Sequence, residues 1–119
     1  MNWFLAKIVF RIVCGDGDHK PQFDEQLRLV KAKSKEQAFK KAKSFGEKEQ
    51  NSFLNVENKL VQWQFINVSE LYRISELIDG AEMYSRIEEK EDGDGYTKII
   101  HKKAQHIQHS NTHQMLNLV

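Results

Sequence analysis

Residues 3–13 alternate with period two. Phe4, Ala6, Ile8, Phe10 and Ile12 form one uniformly apolar face, and Trp3, Leu5, Lys7, Val9, Arg11 and Val13 form a mixed one. The pattern predicts a long strand with one face in a core and the other partly covered. Cys14 to Gln22 holds two glycines and the only proline, so it reads as a loop. From Phe23 to Lys33 the extended pattern resumes, with Phe23, Leu27 and Leu29 on one face. Two strands joined in this way form an antiparallel hairpin.

Ser34 opens a helix. Ser34 and Gln37 fit a capping box, in which each side chain serves a free backbone N–H. Ala38, Phe39, Ala42 and Phe45 share one helical stripe, lysines take the rest of the surface, and Gly46 is a candidate stop. Leu54–Val56 reads as a short strand and Leu60–Val68 as a better one, with Val61, Trp63 and Phe65 opposite Ile66 and Val68. Ser69–Gly80 suggests a helical turn, and Ala81–Glu89 another strand. Asp92 to Gly95 reads as a turn. Tyr96, Ile99, Ile100, Ala104 and Ile107 then share the face of a second helix.

The predicted order is β-β-α-β-β-β-α. It implies an α+β fold: an antiparallel sheet of four to five strands with two helices packed on one face. Residues 1–108 are expected to form one domain and 109–119 a frayed tail.

With these elements placed, four segments resemble a known family. They are the run from Trp3 to Ile12, the loop from Gly15 to Gln26, the segment Val61–Val68 and the segment Asp79–Arg86. Together they look like the bacterial family called domain of unknown function 4288, with the resemblance running over residues 3–107. The resemblance implies a small single-domain protein. It carries over no activity and no catalytic residue.

Composition narrows the picture further. The 119 residues are 39% hydrophobic and 29% charged, and 18 basic residues face 17 acidic ones for a net charge of +1. A chain this close to neutral does not advertise a nucleic-acid or membrane partner. Residues 76–94 hold eight acids and two bases, whereas residues 96–119 hold three lysines and no acid, a pattern that suggests local ion pairing. The single cysteine, Cys14, excludes a disulfide within the chain. The apolar run Trp3–Val13 is 11 residues long with Lys7 and Arg11 inside it. It is too short for a spanning helix and lacks the layout of a signal peptide, so the expected location is cytoplasmic.

Candidate chemistry is sparse. Asp16 and Asp18 begin like a calcium loop, but Lys20 and Pro21 replace the next acid and the glycine, so the loop reads as a turn. His106, His109 and His113 would fall within about 60° of one another on a continued helix, but away from its apolar stripe. Neither a metal site nor a cofactor is expected. The candidate binding residues are Asp16, Asp18, His19, Gln22 and Glu25 around the loop, with Trp63, Tyr84 and Arg86 from later segments.

The leading expectation is a non-enzymatic binding module. The amphipathic helices cover one sheet face. The other, with Trp3, Leu5, Val9 and Val13, would serve a homodimer or a protein partner, with Lys7 and Arg11 at its rim or paired with acids such as Glu82 or Glu88. A last helix crossing over that face is the structural alternative. The functional alternative is a small enzyme or ligand-binding protein with a polar pocket near Gly15–Glu25. Deleting residues 109–119 is expected to leave the melting temperature within a few degrees, with or without zinc. A large zinc-dependent loss in calorimetry would overturn the solvent-facing reading of these histidines.

Overall fold

The computed structural model describes residues 1–109. The chain divides into two compact units, the first being Met1–Ser85 and the second beginning at Arg86.

In the first unit the order is β1 (Asn2–Cys14), β2 (Gln22–Ala32), α1 (Lys35–Lys48), β3 (Asn51–Leu54) and β4 (Leu60–Ile74). The four strands form one antiparallel sheet in the spatial order β2-β1-β4-β3. β1 is central because it carries the uniformly apolar face. Phe4, Ala6, Ile8 and Phe10 on that face are each no more than 3% exposed.

α1 packs on this face, and its residues explain how closely. Ala38, Ala42 and Gly46 recur every fourth position and are all buried, so the helix presents a row without bulk to the sheet. The core joins Phe4, Ala6, Val30, Ala32, Ala38 and Ala42, with Phe45, Val68 and Leu71 packed against it. Phe39 lies at the margin of the stripe and remains partly exposed. Gly46 does not stop the helix, which runs on to Lys48. It is a point of close approach: a Cβ there would stand 2.2 Å from Cε1 of Phe65. The Ser34 hydroxyl accepts from the Gln37 N–H at 3.1 Å, as the capping pattern requires, while Gln37 Oε1 accepts from the Lys33 N–H at 2.6 Å.

β4 departs from its sequence pattern. Its register against β1 shifts between Lys7 and Ile8 and again between Val9 and Phe10, leaving Ser69 and Ile66 as extra residues. Each extra residue reverses which side chains face α1. Phe65 stands opposite Phe10 and Val68 opposite Ile8, so both reach the helix side that strict alternation would have denied to one of them. The same interruptions hid residues 69–74, which continue the strand instead of forming a helical turn.

The expected strand at Ala81–Glu89 is absent. Its residues do not pair at a sheet edge. Instead Tyr84 meets Tyr72 edge to face at 5.4 Å, which brings residues 81–85 over the sheet face opposite α1.

The second unit contains α2 (Gly93–His109). The Asp92–Gly95 stretch starts this helix instead of preceding it, because Asp92 Oδ1 accepts from the Gly95 N–H at 3.0 Å and supplies a cap. Lys90 stands over the Tyr96 ring at 5.1 Å. No residue of α2 is buried, and Tyr96, Ile100 and Ile107 of its apolar stripe are exposed. The expected tail lies outside the described residues except for His109, which ends α2.

Gly46→Ala is expected to lower stability by about 1–2 kcal/mol, the overpacking against Phe65 exceeding the gain of about 1 kcal/mol in helix propensity. Urea denaturation checks this. An unchanged or raised midpoint would show that Phe65 moves aside freely.

Candidate functional site

The residues nominated from sequence fall in separate places. Asp16, Asp18, His19 and Gln22 line one cavity of about 530 Å³ with Cys14, Gly15 and Lys59. The loop that forms it is held by its own polar groups. Gly15 and Gly17 adopt positive φ of 62° and 83°, which glycine alone takes without strain. Asp16 Oδ1 accepts from the Asp18 N–H at 3.0 Å, closing an Asx turn. His19 Nε2 accepts from the Cys14 N–H at 3.0 Å, so the ring proton sits on Nδ1, which donates to the Lys20 carbonyl at 2.8 Å. Both imidazole nitrogens are therefore committed to the backbone. Among the described residues no group of three or more His, Cys, Asp or Glu is placed to hold a metal ion.

Trp63 lies elsewhere, on the α1 side of the sheet beyond the helix. Its Nε1 donates to Asp24 Oδ2 at 3.2 Å across β1, and its ring stacks with Phe53 at 6.3 Å. Asp24 also accepts from Gln26, whose Oε1 accepts from Arg28, and Arg28 pairs with Glu49 at the end of α1. The hydrogen bonds to Glu49 raise the pKa of the Arg28 guanidinium still further. Each member has a partner within the chain, and the set ties β2, β4 and α1 together. Arg86 is in the second unit, paired with Glu88 at 2.8 Å; Glu88 also binds Lys90, which holds its carboxyl below the usual range.

Glu25 and Tyr84 come together around a residue that the sequence reading placed at a rim. Lys7 is central on the face opposite α1, with its side chain only 16% exposed. Its ammonium binds Glu70 at 2.6 Å and reaches Glu25 at 3.7 Å, and the Tyr72 hydroxyl also donates to Glu70. The hydrogen bond to Glu70 outweighs the opposing effect of burial and raises the Lys7 pKa above 10.5. Tyr72 and Tyr84 then line a cavity of about 420 Å³ with residues of the 75–85 segment. Glu70 and Tyr72 were missed because the bulge at Ser69 hides their face. The available signal was Lys7 itself, since a charge within an apolar face requires an acid opposite.

The interface candidates separate in the same way. Leu5 is 5% exposed and buried within the chain, opposite Tyr72, and so leaves the free face. Trp3 is half-buried beneath the Lys31 ammonium, 5.3 Å from its ring, while Val9 and Val13 are half-buried. Arg11 stands over Phe23 at 5.6 Å. The exposed apolar surface of this face lies mainly on β2: Phe23, Leu27 and Leu29 are 54%, 52% and 43% exposed.

The architecture is that of a small α+β domain with one helix on one side of a four-stranded antiparallel sheet. The chain belongs to the family described as "Domain of unknown function (DUF4288)", which it matches over residues 3–85. The match ends where the first compact unit ends. No curated protein and no solved structure matches the chain. No helix among the described residues is long and apolar enough to cross a membrane.

Lys7→Met is expected to cost about 1–2 kcal/mol at neutral pH, between the values for exposed and buried pairs, because Glu70 loses its ammonium partner. A raised lysine pKa stabilises the fold below its unfolded value of 10.5, and that contribution fades as pH rises through the folded value. The gap between wild type and variant in urea should therefore shrink above pH 10.5. A gap that stays constant there would show that Lys7 contributes packing, not charge.

Proposed function

We propose that this protein is a non-enzymatic binding module that associates with a second copy of itself through the uncovered part of its sheet. The observation that carries the reading is the row Phe23, Leu27 and Leu29, exposed on the face opposite α1 beside half-buried Val9. Exposed apolar side chains gathered on one strand face of a small domain, here with Glu25 among them, mark an interaction site. Within the Gly15–Gln22 loop the Asp16 carboxylate and both His19 ring nitrogens are committed to the backbone, which favours a partner surface over a catalytic pocket. A different protein partner could occupy the same row. Cytoplasmic residence belongs to this reading and rests on the lone Cys14 and the charged first strand.

Burying a few hundred Å² of apolar surface contributes on the order of 10 kcal/mol before association costs of similar size. The complex is therefore expected to be reversible and sensitive to one substitution. Sedimentation should show a wild-type dimer and a folded Leu27→Glu monomer, with the fold checked by circular dichroism. A wild type that stays monomeric at about 100 μM, near the weak end for such an interface, would overturn self-association.

A further inference from the structure

We infer that the second copy pairs edge to edge with β2, antiparallel about a two-fold axis at Arg28, to extend the four-stranded sheet across both chains. This rests on the self-association reading above. β2 ends the strand order, and among the described residues its only strand partner is β1. Its register against β1 runs without a shift from Ala32 to Gln22, and Pro21 lies before the strand, so neither bulge nor proline blunts the edge. An edge of this kind leaves backbone N–H and C=O groups open to another strand.

The side chains on the face opposite α1 select the register. Symmetric antiparallel pairing about Arg28 sets Leu27 against Leu29 of the partner subunit and Glu25 against Lys31 of the partner subunit. Symmetry repeats each pair. Apolar contacts at the centre are then closed at both ends by opposite charges. A centre at Leu27 would place Glu25 against Leu29 of the partner subunit. A centre at Leu29 would place Leu27 against Lys31 of the partner subunit, and one at Gln26 would place it against Glu25 of the partner subunit. Only the Arg28 centre matches both kinds of residue. The two Arg28 side chains that meet on the α1 side are each already bound to their own Glu49.

Both groups are accessible, with the Lys31 ammonium also standing over the Trp3 ring at 5.3 Å. Glu25 holds Lys7 only at 3.7 Å and its side chain is 61% exposed. Lys31 is exposed on the same face. The Lys31 carbonyl accepts from Lys41 Nζ at 2.9 Å, so the backbone rungs lie inside that point and the Glu25–Lys31 contacts close the ends through side chains alone.

Charge reversal with sedimentation tests the register. Glu25→Lys and Lys31→Glu should each weaken the homodimer by about tenfold or more, because symmetry creates two like-charge contacts. Combining both substitutions in one chain should restore it. Mixing the two single variants should give a heterodimer, since each then supplies the charge that the other lacks; its formation also shows that both fold. A wild-type dimer that Leu27→Glu disrupts but neither charge reversal weakens would overturn edge pairing and leave face packing. Loss in both single variants without rescue in the double variant or the mixture would also overturn it. A monomeric wild type would overturn the self-association reading itself.

Discussion

Helix α1 has 14 residues and is therefore about 21 Å long, whereas β1 with 13 residues extends over about 43 Å. One helix cannot cover such a sheet, and the composition of the strands follows that limit. Beneath α1 the face is apolar, from Phe4 and Ala6 to Phe10, and Gly46 brings the end of the helix down onto Phe65. Past that point Gln22, Asp24 and Trp63 occupy the same side of the sheet as Ile12. The indole, the carboxylate and the Arg28–Glu49 pair close that end with hydrogen bonds. Because each of these groups has a partner, this end is finished as structure. The row on β2 is different: its leucines have no such closure.

The bulge at Ser69 links the core to the opposite face. With Val68 opposite Ile8, an unbroken register would put Ser69 opposite Lys7 and turn Glu70 toward α1. The extra residue instead sets Glu70 against Lys7 and Leu71 against Ala6. One irregularity thus satisfies a half-buried ammonium on one face and completes the apolar core on the other. A bulge with two such consequences is costly to remove, since register slip would expose Leu71 and bury a carboxylate together.

Much of the fold was legible because β1, β2 and α1 follow simple periods. The alternation from Phe4 to Ile12 identified the face that meets the helix, and Ser34 with Gln37 marked where α1 begins. β4 was legible as a strand to Val68, but its faces only to Phe65. Two extra residues break its alternation, and a period of two cannot be followed through a reversal that only pairing creates. Ala81–Glu89 failed for another reason: alternation describes a strand's faces but says nothing about whether a partner edge is free. Sequence does not reveal that His19 uses both ring nitrogens on nearby backbone or that Trp63 reaches Asp24. Leu5 was assigned to a free face because the covering segment around Tyr84 lies more than seventy residues away.

The two sides of the sheet also differ in how their edges are protected. β3 pairs with β4 only from Leu60 to Trp63, so most of β4 would present an open edge. There Gln50 Oε1 accepts from the Phe65 N–H at 3.1 Å, and Asn67 Oδ1 accepts from the Val68 N–H at 2.8 Å, while two bulges interrupt the strand. Side chains thus occupy donors that an incoming strand would use, and the irregular backbone offers it no continuous register. β2 has an unbroken ladder to β1 and carries leucines at its middle, with Lys41 reaching a carbonyl only at the Lys31 end. Selection against uncontrolled pairing would be expected to act on both edges alike. One edge is guarded by side chains and bulges, whereas the other keeps a regular ladder in which Glu25 and Lys31 flank two leucines.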